Sequence, residues 1–508
     1  MIDIPAFEQA VGLLSSSWSA WIWVVPGLLI GLVFGALPGM SVTMALALTL
    51  PLSMKMDFLT AIIFLTSVYT GAGFGGSVPA ILLNIPGTPG SVATTFDGYA
   101  MAQKGQHNEA LGYALFASTI AGILGYLVLL PLVGPMADAV LQLGSLEMFV
   151  VAVWGMLLLG SLGADKMSRG IMAGAFGVLL GTVGMNTAGY TRGTLGIPEL
   201  LDGFSQIPAM IGLLAAGQLL TLARQDYIAE STEAREISIK RILDGCWGTL
   251  KYPAVIIRGS IIGILIGAAP GVGSSIANLM AYAETKRTAK DSATFGTGNP
   301  KGIVAAESAV ASGEGGSMAT MLALGIPGGG STAILLAAFG MHNIVAGPSF
   351  MRDRQDLVYA IILSNIAQAI VLLVVGIAFI YVAARVVKVR TRYMLPLILT
   401  LSVMGAIAVD NAASGPITLA VFAIVGYLLQ KFEYPVSAVV VGLLLGRLLE
   451  TEALRSWQLS NGHAGFILER PIAICIFALM MISVGFAAWS KWRNPPDGPA
   501  AGEPTHAS

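Results

Sequence analysis

Charge is the scarcest property of this chain. Only 11% of its 508 residues are Asp, Glu, Lys or Arg, while 55% are hydrophobic and the mean hydropathy is +0.79. Soluble domains carry roughly 25% charged residues, so a soluble globular fold is excluded and an all-α polytopic membrane protein is indicated. A net charge of −1 leaves no electrostatic footprint for nucleic acid. Cys246 and Cys475 are the two cysteines, far apart in unrelated contexts, so neither a disulfide framework nor a metal site is expected. His107, His342, His463 and His506 have no ligand spacing. No phosphate-binding G-x-x-x-x-G-K-[ST] loop and no G-x-S-x-G elbow occurs. Gly71, Gly73 and Gly76 spell G-x-G-x-x-G, but inside an apolar run with no strand before it. No catalytic residue, cofactor or metal is therefore expected, and the function is not read as enzymatic. The N-terminus lacks the basic n-region of a signal peptide, so its first apolar run is expected to stay as a helix, and residues 494–508 to form a disordered tail.

Long apolar runs occupy residues 18–37, 110–132, 146–162, 170–185, 200–222, 255–269, 357–384, 393–409, 416–429, 435–449 and 467–489. Shorter ones lie at 41–52, 58–70, 274–283 and 302–312. A full crossing needs about 20 residues, so the pattern predicts roughly 12–14 transmembrane helices with re-entrant or broken pieces. A hydrophilic connector at 223–252 separates a first repeat (1–222) from a second (253–450), followed by a loop and an extra helix at 451–493.

The division into repeats rests on two motifs that recur in the same order. GALPGM at 35–40 returns as GAAPGV at 267–272, with Pro38 and Pro270 separated by 232 residues. GGSVPAILLNIPGTPGS at 75–91 returns as GGSMATMLALGIPGGGS at 315–331, at offsets of 240 to 241. Such ordered recurrence predicts a duplicated architecture. The distribution of Lys and Arg predicts the orientation of the copies. With the connector in the cytoplasm, Lys104, Lys166, Arg169, Arg385, Lys388, Arg390, Arg392, Lys491 and Arg493 fall inside, and the basic-free stretches 134–145 and 410–415 outside. The two halves then run in opposite directions, as inverted-topology repeats. Arg352, Arg354, Arg455 and Arg470 fall outside and count against this threading, and a same-orientation repeat is the alternative.

Four Pro-Gly pairs interrupt apolar runs: Pro38-Gly39, Pro86-Gly87, Pro270-Gly271 and Pro327-Gly328. Proline removes a backbone donor and glycine allows positive φ, so each pair is expected to break or turn its helix. Irregular backbone at membrane depth persists only inside protein or beside water. Polar side chains gather at these breaks: Ser41, Thr43, Ser77, Asn84, Thr88 and Ser91 in the first half, with Gly76 before them; Ser274, Ser275, Asn278, Ser317, Ser331 and Thr332 in the second, with Gly316. Exposed N–H groups of a broken helix can hold a carboxylate, and its carbonyls a coupled Na⁺. Close packing of small residues is the structural alternative, but it does not require repeated Pro-Gly breaks. Among acidic residues near the breaks, Glu307, Glu314, Asp97 and Asp410, the carboxyl of Glu314 between two glycines is the strongest candidate for coupling Na⁺ or H⁺. Asp97 is expected to hold a loop beside Lys104.

GALPGMSVTMALALTLPLS, YTGAGFGGSVPAILLNIPGTPGSVATTFDGYAMAQKG, GAAPGVGSSIANLMAYAETKR and GEGGSMATMLALGIPGGGSTAILLAAF together resemble the large transmembrane subunit of the bacterial tripartite tricarboxylate transporters, over residues 18–489. The resemblance implies a secondary transporter of the inner membrane, driven by an ion gradient. It also implies two partners, a small membrane subunit of about four helices and a periplasmic solute-binding protein, with tricarboxylates, dicarboxylates or aromatic acids as substrates. An ion channel or passive anion pore is the rival class, and it would call for a continuous polar lining.

Overall fold

The computed structural model describes residues 3–37, 40–140, 142–162, 167–186, 189–216, 237–269, 276–386, 399–400, 402–404, 406–407, 414–460, 463 and 469–493. Pro38, Gly39, Pro270, Gly271, Ser274, Ser275 and Asp410 lie outside them, as does most of the connector.

Helices dominate. The first half contains α1 (Ile4–Ser16), α2 (Trp18–Ala36), α3 (Val42–Ser53), α4 (Phe58–Gly75), α5 (Ser77–Leu83), α6 (Val92–Gln103), α7 (His107–Leu129), α8 (Val133–Val140), α9 (Ser145–Leu162), α10 (Met167–Gly181) and α11 (Gln206–Ile211). The second contains α12 (Ile239–Thr249), α13 (Pro253–Ala268), α14 (Ala277–Thr288), α15 (Pro300–Leu324), α16 (Gly330–Met341), α17 (Pro348–Asp353), α18 (Gln355–Val386), α19 (Ser414–Lys431), α20 (Val436–Leu459) and α21 (Pro471–Arg493). Residues 184–185 and 191–192 form a minimal antiparallel ladder. Side chains start several helices by accepting otherwise orphaned N–H groups. Ser41 accepts from Met44 N (3.1 Å), Asp57 from Thr60 N (3.1 Å) and Asn299 from Lys301 N (3.0 Å).

Among the described residues, five helices are long and apolar enough to cross a membrane, and a sixth if α12 and α13, bent by 79°, count as one span. The expected 12–14 crossings are not reached on that criterion. Capped breaks divide much of the apolar sequence into shorter helices such as Val42–Ser53 and Gly330–Met341. The last part of the connector is also more than a hydrophilic link: α12 buries Ile242 and Cys246 and packs against α7.

Two helix seams are packed alike. In the first half, α2 and α4 approach so closely that a Cβ on Gly31 would strike Val68 O, on Gly35 Ala72 O, and on Gly75 Leu32 O at 2.6 Å. In the second half, α13 and α15 repeat the seam: Gly263 meets Ala309 O, Gly267 meets Gly313 O, and Gly316 meets Ile264 O. Each residue of α2 maps to α13 by adding 232 (31 to 263, 35 to 267, 32 to 264). Each residue of α4 maps to α15 by adding 241 (68 to 309, 72 to 313, 75 to 316). At the position equivalent to Gly71, which abuts Leu28 O, Ser312 Oγ instead donates to Ser260 O at 3.1 Å. Small residues that let backbones touch are the usual means of joining helices in lipid.

This register corrects one sequence reading. The two Gly-Gly-Ser strings match at an offset of 240, but the seam runs at 241, so Ser77 and Ser317 are not equivalent. Gly76 is the counterpart of Ser317. Both described Pro-Gly pairs lie in breaks, as expected: Pro86-Gly87 between α5 and the restart at residue 89, and Pro327-Gly328 between α15 and α16. Residues 315–317 lie inside the continuous α15, and the left-handed residues that end the helices are Asn84 (φ 60°, ψ 25°) and Gly325 (φ 68°, ψ 20°), again 241 apart. Gly87 and Gly328 have no positive φ. They are small because each wedges its Cα into the seam: a Cβ on Gly87 would lie 2.8 Å from Gly76 Cα, and one on Gly328 2.9 Å from Ser317 Cα.

Several contacts join segments that the Lys and Arg distribution assigns to one membrane face. Arg241 pairs with Glu109 at 2.7 Å and donates to Gly105 O, beside Lys104. Arg169 pairs with Glu433 at 2.5 Å.

Candidate functional site

After each left-handed residue the chain turns, passes its Pro-Gly pair and restarts as a helix with the same closed cap. Thr88 N donates to Ser91 Oγ (3.3 Å), which donates to Thr88 O (2.8 Å). In the other half, Gly329 N donates to Thr332 Oγ1 (2.9 Å), which donates to Gly329 O (3.0 Å). Ser91 and Thr332 are 241 apart and hold the two restarts in the same shape. Ser317 Oγ donates to Gly267 O (3.1 Å) and Thr320 Oγ1 to Ala268 O (2.6 Å), which satisfies carbonyls at the end of α13.

The two tips are exchanged between halves. Thr43 Oγ1 on α3, from the first half, lies 3.3 Å from Ser331 Oγ at the start of α16, from the second. Asn278 Nδ2 on α14, from the second half, donates to Pro89 O (2.9 Å) at the first half's restart. A residue just past one half's Pro-Gly break thus meets the other half's tip, in both directions. Each half contributes a side chain to the other's restart. The sequence-predicted Thr43, Ser331, Asn278, Thr88, Ser91 and Thr332 converge on these crossings. Ser41 serves as the α3 cap, Gly316 as seam packing and Asn84 as the helix terminator. Thr88 is 3% exposed and its Oγ1 is wedged against Gly76.

A second polar centre lies at the interface of the halves. α15 carries Glu307 and Glu314 seven residues apart, hence on one face, and α7 opposes them with Ser118 and Tyr126 at a spacing of eight. Glu307 is 2% exposed and its oxygens are fully met: Ser77 and Thr94 donate to Oε1, each at 2.5 Å, and Ser118 to Oε2 at 2.9 Å. Ser77, expected to face a ligand, is therefore engaged by an acid of the other half. On α4, Thr66 Oγ1 accepts from Gln368 Nε2 on α18 (3.1 Å). Thr66 is the counterpart of Glu307, since 66 plus 241 is 307.

Glu314 differs. It is 4% exposed, and its one hydrogen bond among the described residues comes from Thr70 Oγ1 to Oε2 at 2.9 Å. Its own counterpart is Gly73, and a Cβ there would sit 2.7 Å from Glu314 Oε1. The glycine of one half leaves the space that the carboxylate of the other fills. Around this pair is a narrow cavity lined by three residues from each of α4, α7, α15 and α18, with room for a guest about the size of a water. Tyr126, Ser118 and Asn365 reach it, and sequence reasoning missed all three because no motif links helices so far apart in the chain. The seven-residue spacing of the two glutamates was the available signal.

Asp97 does hold a loop, and the loop belongs to the other half. It is fully buried on α6, and Oδ1 accepts the N–H groups of Gly296 (2.9 Å), Gly298 (2.8 Å) and Asn299 (2.7 Å). Oδ2 accepts from Tyr282 Oη at 2.9 Å. Lys104 Nζ donates to Thr297 O in the same loop at 2.5 Å.

Comparison with known proteins decides the family. The sequence model of the tripartite tricarboxylate transporter TctA family matches residues 21–441, most of the chain. The chain belongs to this family. It is thus a member of a transporter family whose apolar helices make it a multi-pass membrane protein. Among its relatives, an uncharacterized 52.8 kDa protein in the TAR-I ttuC' 3' region of Agrobacterium vitis is 29% identical over 480 residues, 94% of each chain. An uncharacterized protein in the TAR-II ttuC' 3' region of the same organism is 27% identical over 235 residues, covering 46% of this chain and 97% of that one. No solved structure matches. Within the TctA family, the duplicated seams and crossed tips described above are features of this chain's own packing.

Proposed function

We propose that the chain is the large membrane subunit of a binding-protein-dependent importer of organic carboxylates, driven by a Na⁺ or H⁺ gradient across the bacterial inner membrane. The crossed tips carry this reading. Each brings a restarting helix, with its positive dipole end, against a hydroxyl or amide side chain of the opposite half. That arrangement offers N–H and O–H groups to a carboxylate without a fixed cation, and neither tip has a carboxylate of its own to repel the substrate. Opposed, oppositely oriented halves give the site access to the two membrane faces in turn. The tricarboxylate, dicarboxylate and aromatic-acid classes share the anionic group these tips suit. A small four-helix membrane subunit and a periplasmic binding protein complete the system, and lipid surrounds its apolar faces.

The test is uptake of labelled citrate, succinate and benzoate by proteoliposomes holding this chain with the small subunit. It is run with and without a Na⁺ gradient, a pH gradient and the cognate binding protein. Uptake of one acid is expected only with the binding protein and one of the gradients. Uptake indifferent to both would identify a passive pore.

A further inference from the structure

The two buried glutamates of α15 are in different states of satisfaction, and the difference points to a ligand. Glu307 accepts three hydroxyl hydrogen bonds and needs nothing more. Glu314 accepts one, from Thr70, and it is the acid that lines the cavity. An underserved carboxylate at membrane depth is costly unless something positive meets it.

Two further oxygens on the same cavity also go unmet. Among the described residues, the Tyr126 hydroxyl (residue 2% exposed) and Asn365 Oδ1 (residue 1% exposed) have no hydrogen-bond partner, although Asn365 Nδ2 donates to Ile361 O at 2.7 Å. They come from α7 and α18, and with the Glu314 carboxylate on α15 and the Thr70 hydroxyl on α4 each of the four lining helices brings an oxygen-bearing side chain to one small space. We propose that Glu314, Tyr126, Asn365 and Thr70 bind one dehydrated Na⁺ where helices of the two halves meet, apart from the crossed tips proposed to take the substrate.

The ligand set selects the ion. The donors are hard oxygens, which suit alkali and alkaline-earth cations. One carboxylate balances one positive charge, and no group of three His, Cys, Asp or Glu residues that could hold a divalent metal exists among the described residues. Ca²⁺ asks for six to eight oxygens and Mg²⁺ keeps several waters, and a space about one water wide accommodates neither. An anionic substrate is excluded by the carboxylate itself. Because all four helices line the site, with each half supplying two, ion binding draws the halves together, which is how a cation would be tied to the motion that carries substrate.

The inference rests on the transport reading for its use but not for its test. Purified, detergent-solubilised protein is incubated with ²²Na⁺, without substrate, and binding is counted by scintillation proximity. One saturable site per chain is expected, competed by unlabelled Na⁺ and not by choline. Glu314→Gln is expected to abolish it, and Tyr126→Phe and Asn365→Leu each to weaken it about tenfold, the loss of one ligand oxygen at about 1.4 kcal/mol. Ser77→Ala, which touches Glu307 and not the cavity, is expected to bind Na⁺ within about threefold of the parent chain. Absence of saturable Na⁺ binding by the folded protein would overturn the assignment, as would unchanged affinity in both Tyr126→Phe and Asn365→Leu. Proton binding at Glu314 without Na⁺ binding would overturn it too. Na⁺ binding by a chain that fails in uptake would sink the transport reading and leave this site standing.

Discussion

Asp97→Ala is expected to lower the melting temperature of the detergent-solubilised protein more than any other single side-chain truncation in the tip region. The carboxylate accepts three loop N–H groups and the Tyr282 hydroxyl while fully buried. Removing it leaves four donors unmet, each costing about 1–3 kcal/mol, so a loss of about 3–5 kcal/mol is expected even if water enters to serve some of them. Asp97→Asn keeps an acceptor oxygen for the three N–H groups and loses mainly the charge and the Tyr282 bond, so its loss is expected to be about half as large. The consequence reaches beyond α6, because the loop at 296–299 leads into α15 and belongs to the other half. Differential scanning fluorimetry of the three proteins checks the order. Asp97→Ala melting with the parent chain would show that the loop N–H groups find other partners.

The second large effect is expected at Gly267. Its Cα faces Gly313 O across the α13–α15 seam, its carbonyl accepts from Ser317 Oγ, and Gly328 is wedged against that same carbonyl. A methyl group here meets backbone on a helix that cannot yield locally, so Gly267→Ala is expected to cost about 3 kcal/mol, the upper end of overpacking. Its counterpart Gly35→Ala, facing Ala72 O, is expected to cost a similar amount. Gly12→Ala on α1, where nothing lies within 4 Å, serves as the control and is expected to gain up to about 1 kcal/mol of helix propensity. Thermal melts and monodisperse yield after solubilisation report the difference. Equal behaviour of Gly12→Ala and Gly267→Ala would remove the seam as a source of stability.

The paired breaks and seams were legible because their devices are residue types. Pro-Gly after an apolar run, and Gly at close intervals, each carry a backbone consequence that can be read in one dimension. The register was less legible. Gly75 to Ser77 and Gly315 to Ser317 are identical strings, but packing matches Gly35 to Gly267 and Ala72 to Gly313, which moves the correspondence by one residue and pairs Gly76 with Ser317. String identity among small residues records composition, while the seam depends on which Cα faces which carbonyl. The helix terminators were hidden for a related reason. Asn84 and Gly325 share a left-handed conformation without sharing a side chain, since Asn and Gly are the residues that tolerate it. The central cavity was the least legible feature. Thr70, Tyr126, Glu314 and Asn365 come from four helices, and only the fold brings them together.

The crossed tips are the heart of the functional account, and one cross-link tests them most directly. Thr43 and Ser331 are replaced by cysteine in a Cys475→Ser background, because Cys475 is exposed, and uptake is measured in proteoliposomes before oxidation, after oxidation and after reduction with dithiothreitol. The two hydroxyl oxygens lie 3.3 Å apart, so the thiols that replace them are within reach of each other. If substrate is held where the two halves cross, the oxidised protein loses uptake and the reduced protein regains it. Full uptake by a chain shown to be cross-linked would contradict the account.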